Sequence, residues 1–309
     1  MKVALLFAGQ YREISEILFK KSLSIFVSDL DYDIYSFVWE EVGKSLNHRN
    51  NLPKLNESFS AMDLVKDLFT NFNLVSIQSE SFNSFKENLD LKYKNILNAK
   101  EYHFGTINSL PQIYSLSECF NLIGEKIFEY DLIFRCRFDS LFIHPLKLYD
   151  LRKIYEEKNL YNINFGRAYF PNRIYDIFFG GSTESMIFLA NIWQQIPELI
   201  SNKFNNNLDK RDSCRLLYLA ARQSGINVKS FDMRCCDVFR NINGSYYESY
   251  LLSMHLINHR IGKRSIKSLY FFLKWVIYRR LNFFKLILTV IKTFFLIPIT
   301  YLKRILYLF

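Results

Sequence analysis

Residues 130–142 read YDLIFRCRFDSLF, and this stretch decides the fold. Apolar residues alternate along it with a second set of residues, which is the period-2 pattern of a β-strand. The second set begins apolar at Ile133 and then becomes charged at Arg135, Arg137 and Asp139. The pattern predicts a strand with one apolar face, whose other face carries two cations and one carboxylate together at its end.

These three charged side chains predict a ligand site. Ligands of open α/β sheets bind beyond the carboxyl ends of the strands, so Arg135, Arg137 and Asp139 would lie at the mouth of a crevice. Two guanidinium groups beside one candidate metal ligand suit a phosphorylated substrate. A salt-bridged strand end, in which each arginine pairs with Asp139 or a neighbour, gives the same residue pattern. The spacing alone leaves both interpretations open.

Strands and helices alternate along the rest of the body. Three strands are predicted before the charged strand, over residues 3–7, 33–39 and 74–78. Ser60 with Asp63 forms a capping-box start for one helix, and Pro111 is predicted to open another, which continues to Ile127 and leads into the charged strand. This alternation indicates an α/β layer fold.

Two other segments carry candidate site residues. Gly9, Gln10 and Arg12 follow the first strand, where a glycine lets backbone N–H groups approach a ligand and a helix start favours an anion. A simple turn with a solvated arginine would look the same. Asp176 opens the string DIFFGGS, and its two glycines predict either a close approach to substrate or a strand-to-helix turn.

Four stretches resemble one protein family. The string YDLIFRCRFD at residues 130–139 is similar to the strand with the acidic motif in WavE-like and related bacterial capsule and lipopolysaccharide glycosyltransferases. The loop at residues 9–12, the strand DIYSFVW at 33–39 and the segment from Asp176 to Met186 resemble that family in the same order. A Q-x-Y-S string beginning at Gln112 also matches, although an ordinary helix start explains it equally well.

The resemblance implies a GT-A-like glycosyltransferase, of hexosyltransferase type, with a single Rossmann-type domain that binds a nucleotide sugar. The implied acceptor is a surface glycan, free or lipid-linked, of capsule or lipopolysaccharide. Asp139 and Asp176 are the implied catalytic residues, with Asp176 as the base. The implied donor-binding residues are Gly9, Gln10, Arg12, Arg135, Arg137 and Asp139.

One departure from the family concerns the metal. The D-x-D motif appears here as Arg137-Phe138-Asp139, with a cation in place of the first carboxylate. A single aspartate can hold Mg²⁺ or Mn²⁺ through donor phosphates and water, so Asp139 is the candidate metal ligand. Arg137 can instead replace the metal. The sequence leaves the metal dependence open.

Charge divides the chain into two predicted parts, a glycosyltransferase domain over residues 1–261 and a basic helical tail over residues 262–309. The net charge is +10, and the tail holds ten basic and no acidic residues, so the body is formally neutral. No charge-free run in the tail is long enough to span a bilayer. Its lysines form a cationic stripe on an apolar helix, which predicts binding to an anionic membrane surface rather than docking on the body.

Composition excludes several other classes. Five cysteines without a C-x-x-C spacing predict reduced thiols and no zinc site, and residues 1–9 predict a strand rather than a signal peptide. We therefore expect a cytoplasmic protein that associates peripherally with the inner membrane. Nucleic-acid binding is disfavoured because the body is neutral. The alternatives are a sugar-phosphate transferase and a non-enzymatic protein that binds anionic membrane through its tail.

Overall fold

A computed structural model describes residues 1–11, 16–41, 60–98, 105–142, 146, 148–162, 172–201, 213–231 and 236–238. The chain divides into two units, Met1–Val238 and Phe239–Phe309, and all of the described residues belong to the first. The predicted basic tail, the predicted boundary at residue 261 and the candidate donor-binding Arg12 lie outside the described residues.

Seven strands form the central sheet of the described part of the chain. They are β1 (Lys2–Gln10), β2 (Asp31–Trp39), β3 (Leu74–Glu80), β4 (Leu132–Cys136), β6 (Leu160–Asn162), β7 (Phe178–Ser182) and β8 (Val228–Ser230). Their order is β3-β2-β1-β4-β7-β6-β8, and only β7 runs antiparallel to its neighbours. The short strands β5 (Ser140–Phe142) and β9 (Cys236–Val238) pair with each other in a separate sheet.

Helices cover both faces of the sheet. The α-helices are α1 (Glu16–Phe26), α2 (Ala61–Leu68), α3 (Phe82–Asn88), α4 (Leu91–Asn98), α5 (Gly105–Asn121), α6 (Leu148–Glu157), α7 (Thr183–Met186), α8 (Ile192–Ser201) and α9 (Ser213–Gln223). Two 3₁₀ helices span Gly124–Glu129 and Ile187–Asn191. Within these ranges no helix is both long and apolar enough to cross a membrane. The mostly parallel seven-stranded sheet confirms the predicted α/β fold class.

The central strands consist mostly of consecutive apolar residues, because both of their faces are buried. On one face Leu6, Phe37 and Ile133 pack with α5 in the main hydrophobic core. The other face holds a cluster of phenylalanine rings, in which Phe134 and Phe178 stack at 5.5 Å between ring centroids. Every residue of β4 is buried, so this strand lacks the solvent-exposed charged face that simple alternation suggests.

Two predicted boundaries are wrong for identifiable reasons. Helix α5 begins at Gly105, so Pro111 lies inside it and does not open it. The helix also ends before Ile127, because Gly124 adopts a left-handed conformation (φ 56°) that starts the following 3₁₀ helix. The three other predicted strands lie within β1, β2 and β3, and Ser60 caps α2 by accepting a hydrogen bond from the backbone N–H of Asp63, as predicted.

Strand β7 contains the glycine pair that the sequence places in a turn. Gly180 and Gly181 lie in the middle of the sheet, between β4 and β6. A Cβ atom at Gly180 would lie 2.2 Å from the ring of Phe134, and one at Gly181 would lie 2.2 Å from Oγ of Ser185. The glycines are therefore required by close strand packing, and they do not form the predicted turn.

A polar cluster lies at the amino ends of the central strands. Its members are Lys2, Asp33, Tyr35, Asn73 and Tyr130, and we call it the amino-end cluster. Asp33 accepts hydrogen bonds from Asn73 and from the Tyr130 hydroxyl, and Nζ of Lys2 lies 3.1 Å from its carboxylate. The Tyr35 and Tyr130 hydroxyls are 2.8 Å apart. These contacts join the starts of β1 and β2 to Tyr130, which lies two residues before β4.

Candidate active site

The strand order reverses at the carboxyl ends of β1 and β4. The chain runs from β1 through β2 to β3 on one side of β1, and then returns to place β4 on its other side. Open α/β sheets bind ligands at such a reversal of strand order. The segments that follow the two strands meet here, with the Tyr11 and Phe138 rings 6.1 Å apart. Gly9 and Gln10, at the end of β1, and Arg137 and Asp139, after β4, thus share one edge of the sheet.

Arg137, Asp139 and Asp176 contact one another at this edge, and we call them the Arg137 cluster. Nε and Nη2 of Arg137 donate to the two carboxylate oxygens of Asp139, each at 2.7 Å. Nη1 of Arg137 donates to Oδ2 of Asp176 at 3.0 Å. One guanidinium therefore binds two carboxylates, one of them through a paired contact.

The direction of β7 explains why Asp176 belongs to this cluster. Because β7 runs antiparallel to β4, Phe178 pairs with Cys136. The residues just before β7 therefore lie beside those just after β4. Asp176 reaches Arg137 for this reason, although the two are distant in the sequence.

The Arg137 cluster is mostly enclosed by protein. The exposed fractions of the side chains are 14% for Arg137, 2% for Asp139 and 15% for Asp176. Burial by itself lowers the pKa of Arg137, but the two carboxylates outweigh it and raise this pKa above its ordinary value. Asp139 was expected at the open mouth of the crevice, and it lies instead in the buried turn after β4, so it supports the turn as well as facing the site.

Arg135 lies beneath this site and not beside Arg137 at the crevice mouth. Strand β4 ends at Cys136, so Arg135 is still a strand residue and is only 1% exposed, on the face that α5 covers. Its Nη2 donates to the carbonyl of Ala8 at 3.1 Å, while Nε and Nη1 have no hydrogen-bond partner within the described part of the chain. Burial lowers the pKa of Arg135 to about 10, against the opposing charge of Asp176, so the side chain stays charged at neutral pH.

Two helices supply further contacts to Asp176. Nε2 of Gln112, on α5, donates to Oδ2 of Asp176, and Oγ of Ser213 donates to Oε1 of Gln112 at 2.8 Å. The Cys214 sulfur, in the first turn of α9, lies 3.8 Å from Oδ1 of Asp176. The Q-x-Y-S string was the only sequence signal for Gln112. Nothing in the spacing indicated Ser213 or Cys214, because their helix meets the site only in the folded chain.

The other predicted donor-binding residues lie at the end of β1. Gly9 has a φ of 115°, a conformation that L side chains rarely adopt, so the chain needs a glycine there. Nε2 of Gln10 donates to the carbonyl of Glu41 at 3.1 Å, which links the segments after β1 and β2. Both residues are at the carboxyl edge of the sheet, as expected, and their contact with a donor stays a prediction.

The residues of the cluster do not fit a divalent metal in this arrangement. Both oxygens of Asp139 are bound by Arg137, and Asp176 is bound by Arg137 and Gln112. In the described ranges no group of three or more His, Cys, Asp or Glu side chains is placed to hold a metal ion. A metal at Asp139 would have to displace the guanidinium first.

Comparison with known proteins gives only distant structural similarity. No family model and no curated protein matches the chain. A putative nucleotide-diphospho-sugar transferase from Desulfovibrio desulfuricans G20 aligns over 90% of this chain and 95% of its own, with 11% identity and a TM-score of 0.39. Mouse xyloside xylosyltransferase 1, in its apo form, aligns over 75% of this chain and 86% of its own, with 10% identity and a TM-score of 0.38. At these scores a function has to be inferred from the residues of the chain itself.

Proposed function

We propose that the protein is a glycosyltransferase that moves a sugar from a nucleotide-sugar donor to an acceptor hydroxyl. The observation that carries the proposal is the Arg137 cluster, a guanidinium and two carboxylates at the carboxyl edge where the strand order reverses. Dinucleotides and other nucleotides bind at this edge in open α/β sheets. A fixed cation there suits the diphosphate of a donor, and the sequence resemblance points to the same activity.

Arg137 has the hydrogen-bonding capacity that a diphosphate needs. A guanidinium carries five N–H donors, and Arg137 uses three of them on Asp139 and Asp176. One N–H on each terminal nitrogen therefore remains without a partner among the described residues, on a side chain that is partly exposed. In the transfer step the bond between the sugar C1 and the diphosphate oxygen breaks, and the bonding electrons stay on that oxygen. The two remaining N–H groups are suited to stabilise this new negative charge.

Asp176 is the proposed base for the acceptor. Arg137 and Gln112 both donate to its Oδ2, whereas its Oδ1 faces the weak thiol donor of Cys214. We assign to Oδ1 the removal of the proton from the acceptor hydroxyl as that oxygen bonds to C1. Asp139 does not contact the acceptor in this scheme. It holds the guanidinium in place from the buried side.

The acceptor and the location belong to the proposal. The sequence resemblance favours a surface glycan of capsule or lipopolysaccharide, built on a lipid carrier at the inner face of the bacterial membrane. The ten basic and no acidic residues of 262–309 favour binding to an anionic leaflet, which would hold the enzyme beside such an acceptor.

Vesicle sedimentation tests the membrane proposal with the full-length chain. We expect the protein to sediment with anionic vesicles and not with neutral ones. Replacement of Lys267, Lys274, Lys285 and Lys292 by glutamine should weaken the binding. A quadruple variant that sediments as well as the wild type would remove the electrostatic basis of this proposal.

A screen of nucleotide sugars tests the activity itself. Donor hydrolysis and thermal stabilisation are measured for each nucleotide sugar, with and without Mn²⁺. We expect one donor class to be hydrolysed with release of a nucleoside diphosphate, because the C1–oxygen bond is the one that breaks. Release of a nucleoside monophosphate from a nucleoside diphosphate sugar would instead identify a sugar-phosphate transferase. If no nucleotide sugar is hydrolysed or stabilises the protein, the proposed function is wrong.

A further inference from the structure

The Arg137 guanidinium lies between two carboxylates, in the position that a divalent metal ion would occupy if the site were metal-dependent. It is enclosed between the carboxylates of Asp139 and Asp176, at 2.7 Å from both oxygens of the first and 3.0 Å from Oδ2 of the second. Carboxylates are the protein ligands that Mg²⁺ and Mn²⁺ prefer. Here the same oxygens are already bound by a positive charge that belongs to the chain.

Arg135 makes a second cation at this site unfavourable. It is a buried guanidinium directly behind the Arg137 cluster, and its charge is balanced by Asp176 and, more weakly, by Asp139. The two arginines already neutralise the two carboxylates. A divalent ion would leave two positive charges in excess in a largely enclosed site, and it would compete for the carboxylate that balances Arg135.

The shape of the guanidinium suits the task that a metal performs in phosphoryl-group binding. Three of its N–H groups are fixed by carboxylates, so its plane is held in one orientation. The two remaining N–H groups can reach two phosphate oxygens at once, which a single ammonium group cannot do in a fixed plane. The site therefore has one oriented cation with two donors available to a diphosphate.

From these observations we infer that Arg137 takes the place of the divalent metal and that sugar transfer by this protein is independent of added metal. The inference rests on the proposed function for its catalytic part. The cation assignment rests only on the geometry of Arg137, Asp139 and Asp176. The donor diphosphate is then bound by Arg137 directly, and Asp139 acts as its positioning residue.

The first measurement uses Mn²⁺ alone, with the full-length protein and no nucleotide. Loss of the electron paramagnetic resonance signal of free Mn²⁺ reports binding. We expect the wild type to leave the signal unchanged at submillimolar Mn²⁺, and we expect Arg137→Asp, which supplies a second carboxylate at D-x-D spacing, to reduce it. Arg137→Asn serves the same purpose if circular dichroism shows that R137D does not fold.

Two outcomes of this measurement would overturn the inference. Wild-type protein that binds one Mn²⁺, with loss of that binding in Asp139→Asn, would show that the carboxylates hold a metal despite the arginine. A folded Arg137 variant that still binds none would show that the carboxylates are not placed for a metal at all, so Arg137 could not be said to stand in its place.

The second measurement concerns turnover of the donor found in the screen. We expect hydrolysis by chelator-treated wild type to change less than twofold on addition of EDTA or Mn²⁺, and Arg137→Lys to weaken donor binding by about tenfold, because the ammonium loses the paired contact. Hydrolysis that EDTA abolishes and Mn²⁺ restores would overturn the inference. Absence of any hydrolysed donor would count against the proposed function, whereas the Mn²⁺ measurement would still decide the identity of the cation.

Discussion

Two charged clusters lie at opposite ends of the central strands, and they differ in how their cations are held. In the amino-end cluster, Asp33 receives the donors of Asn73 and Tyr130 and the ammonium of Lys2, which also pairs with Glu129 and keeps a single N–H. At the carboxyl end, the planar guanidinium of Arg137 is fixed by Asp139 and Asp176, and two of its five N–H groups have no partner among the described residues. An oriented cation with two donors available, and not charge as such, distinguishes the strand end that suits a diphosphate.

The largest expected effect comes from removal of the cation at the carboxyl end. Arg137→Met should lower donor turnover by about 10²–10³-fold, because the charge that stabilises the departing diphosphate is lost. Lys2→Met is the matched control, since it removes a cation bound to a carboxylate in the amino-end cluster. Its turnover should equal that of the wild type. Steady-state hydrolysis of the donor measures both, and equal losses in the two variants would erase the distinction between the clusters.

The contact between Arg137 and Asp139 could be predicted because it depends only on neighbouring residues at a strand end. The position of Arg135 could not, since alternation assigns a residue to a face without showing what covers that face. Helix α5 covers it, and the arginine is buried. A structural ion pair was one of the two interpretations that the spacing of this stretch left open, and the pairing of Arg137 with Asp139 is present.

Asp176 shows a different limit of the sequence. Its approach to Arg137 depends on the antiparallel direction of β7, a strand whose Gly180-Gly181 pair is typical of a turn. The glycines are needed because Phe134 and Ser185 occupy the space of their side chains. Tertiary packing therefore determines both that residues 178–182 form a strand and that Asp176 reaches the same guanidinium as Asp139. Neither feature can be predicted from the spacing of residues along the chain.

The next largest effect is expected at the amino-end cluster, on stability. Asp33→Asn removes the charge that Lys2 faces and one of the oxygens that accept hydrogen bonds, so the free energy of unfolding should fall by about 1–3 kcal/mol. Urea denaturation measures the change. Donor turnover at a temperature where the variant is folded should stay at the wild-type value. If Asp33→Asn is as stable as the wild type but turns over the donor slowly, the amino-end cluster takes part in sugar transfer and the account of it as a structural cluster is wrong.

A smaller effect on turnover is expected from the residue that holds Asp176. Gln112→Ala removes the donor to Oδ2 of Asp176 and the acceptor for Ser213, so the base is less well oriented and kcat should fall by about tenfold. The KM for the donor should stay unchanged, because Gln112 does not bind the donor in this account. Gln195→Ala, on α8, is the matched control. A rise in the donor KM with unchanged kcat would contradict a positioning role.

The smallest effect is expected from one hydroxyl in the amino-end cluster. Tyr130→Phe removes the hydrogen bonds to Asp33 and Tyr35 and should lower the free energy of unfolding at neutral pH by about 1 kcal/mol. Burial, together with Asp33 and Tyr35, raises the pKa of Tyr130 above its ordinary value of 10.0. The unfolded chain therefore loses this proton first, and stability falls as the pH rises above about 10.

The pH dependence separates Tyr130 from the other tyrosines. Above pH 10 the stability of wild type should decrease more steeply than that of Tyr130→Phe, when both are followed by urea denaturation. Tyr155→Phe is a suitable control, because Tyr155 is exposed on α6. If the free energy of unfolding depends on pH in the same way in wild type and Tyr130→Phe, the ionisation of this hydroxyl does not cause the loss of stability above pH 10.

The most direct test of the central claim is calorimetric titration of the nucleoside diphosphate of the identified donor into three proteins. These are the wild type, Arg137→Met and Asp33→Asn, all without metal. We expect wild type and Asp33→Asn to bind with equal affinity and Arg137→Met to bind at least about tenfold more weakly, because the paired, oriented donors for phosphate belong to the Arg137 cluster. Equal affinity in wild type and Arg137→Met would contradict that claim.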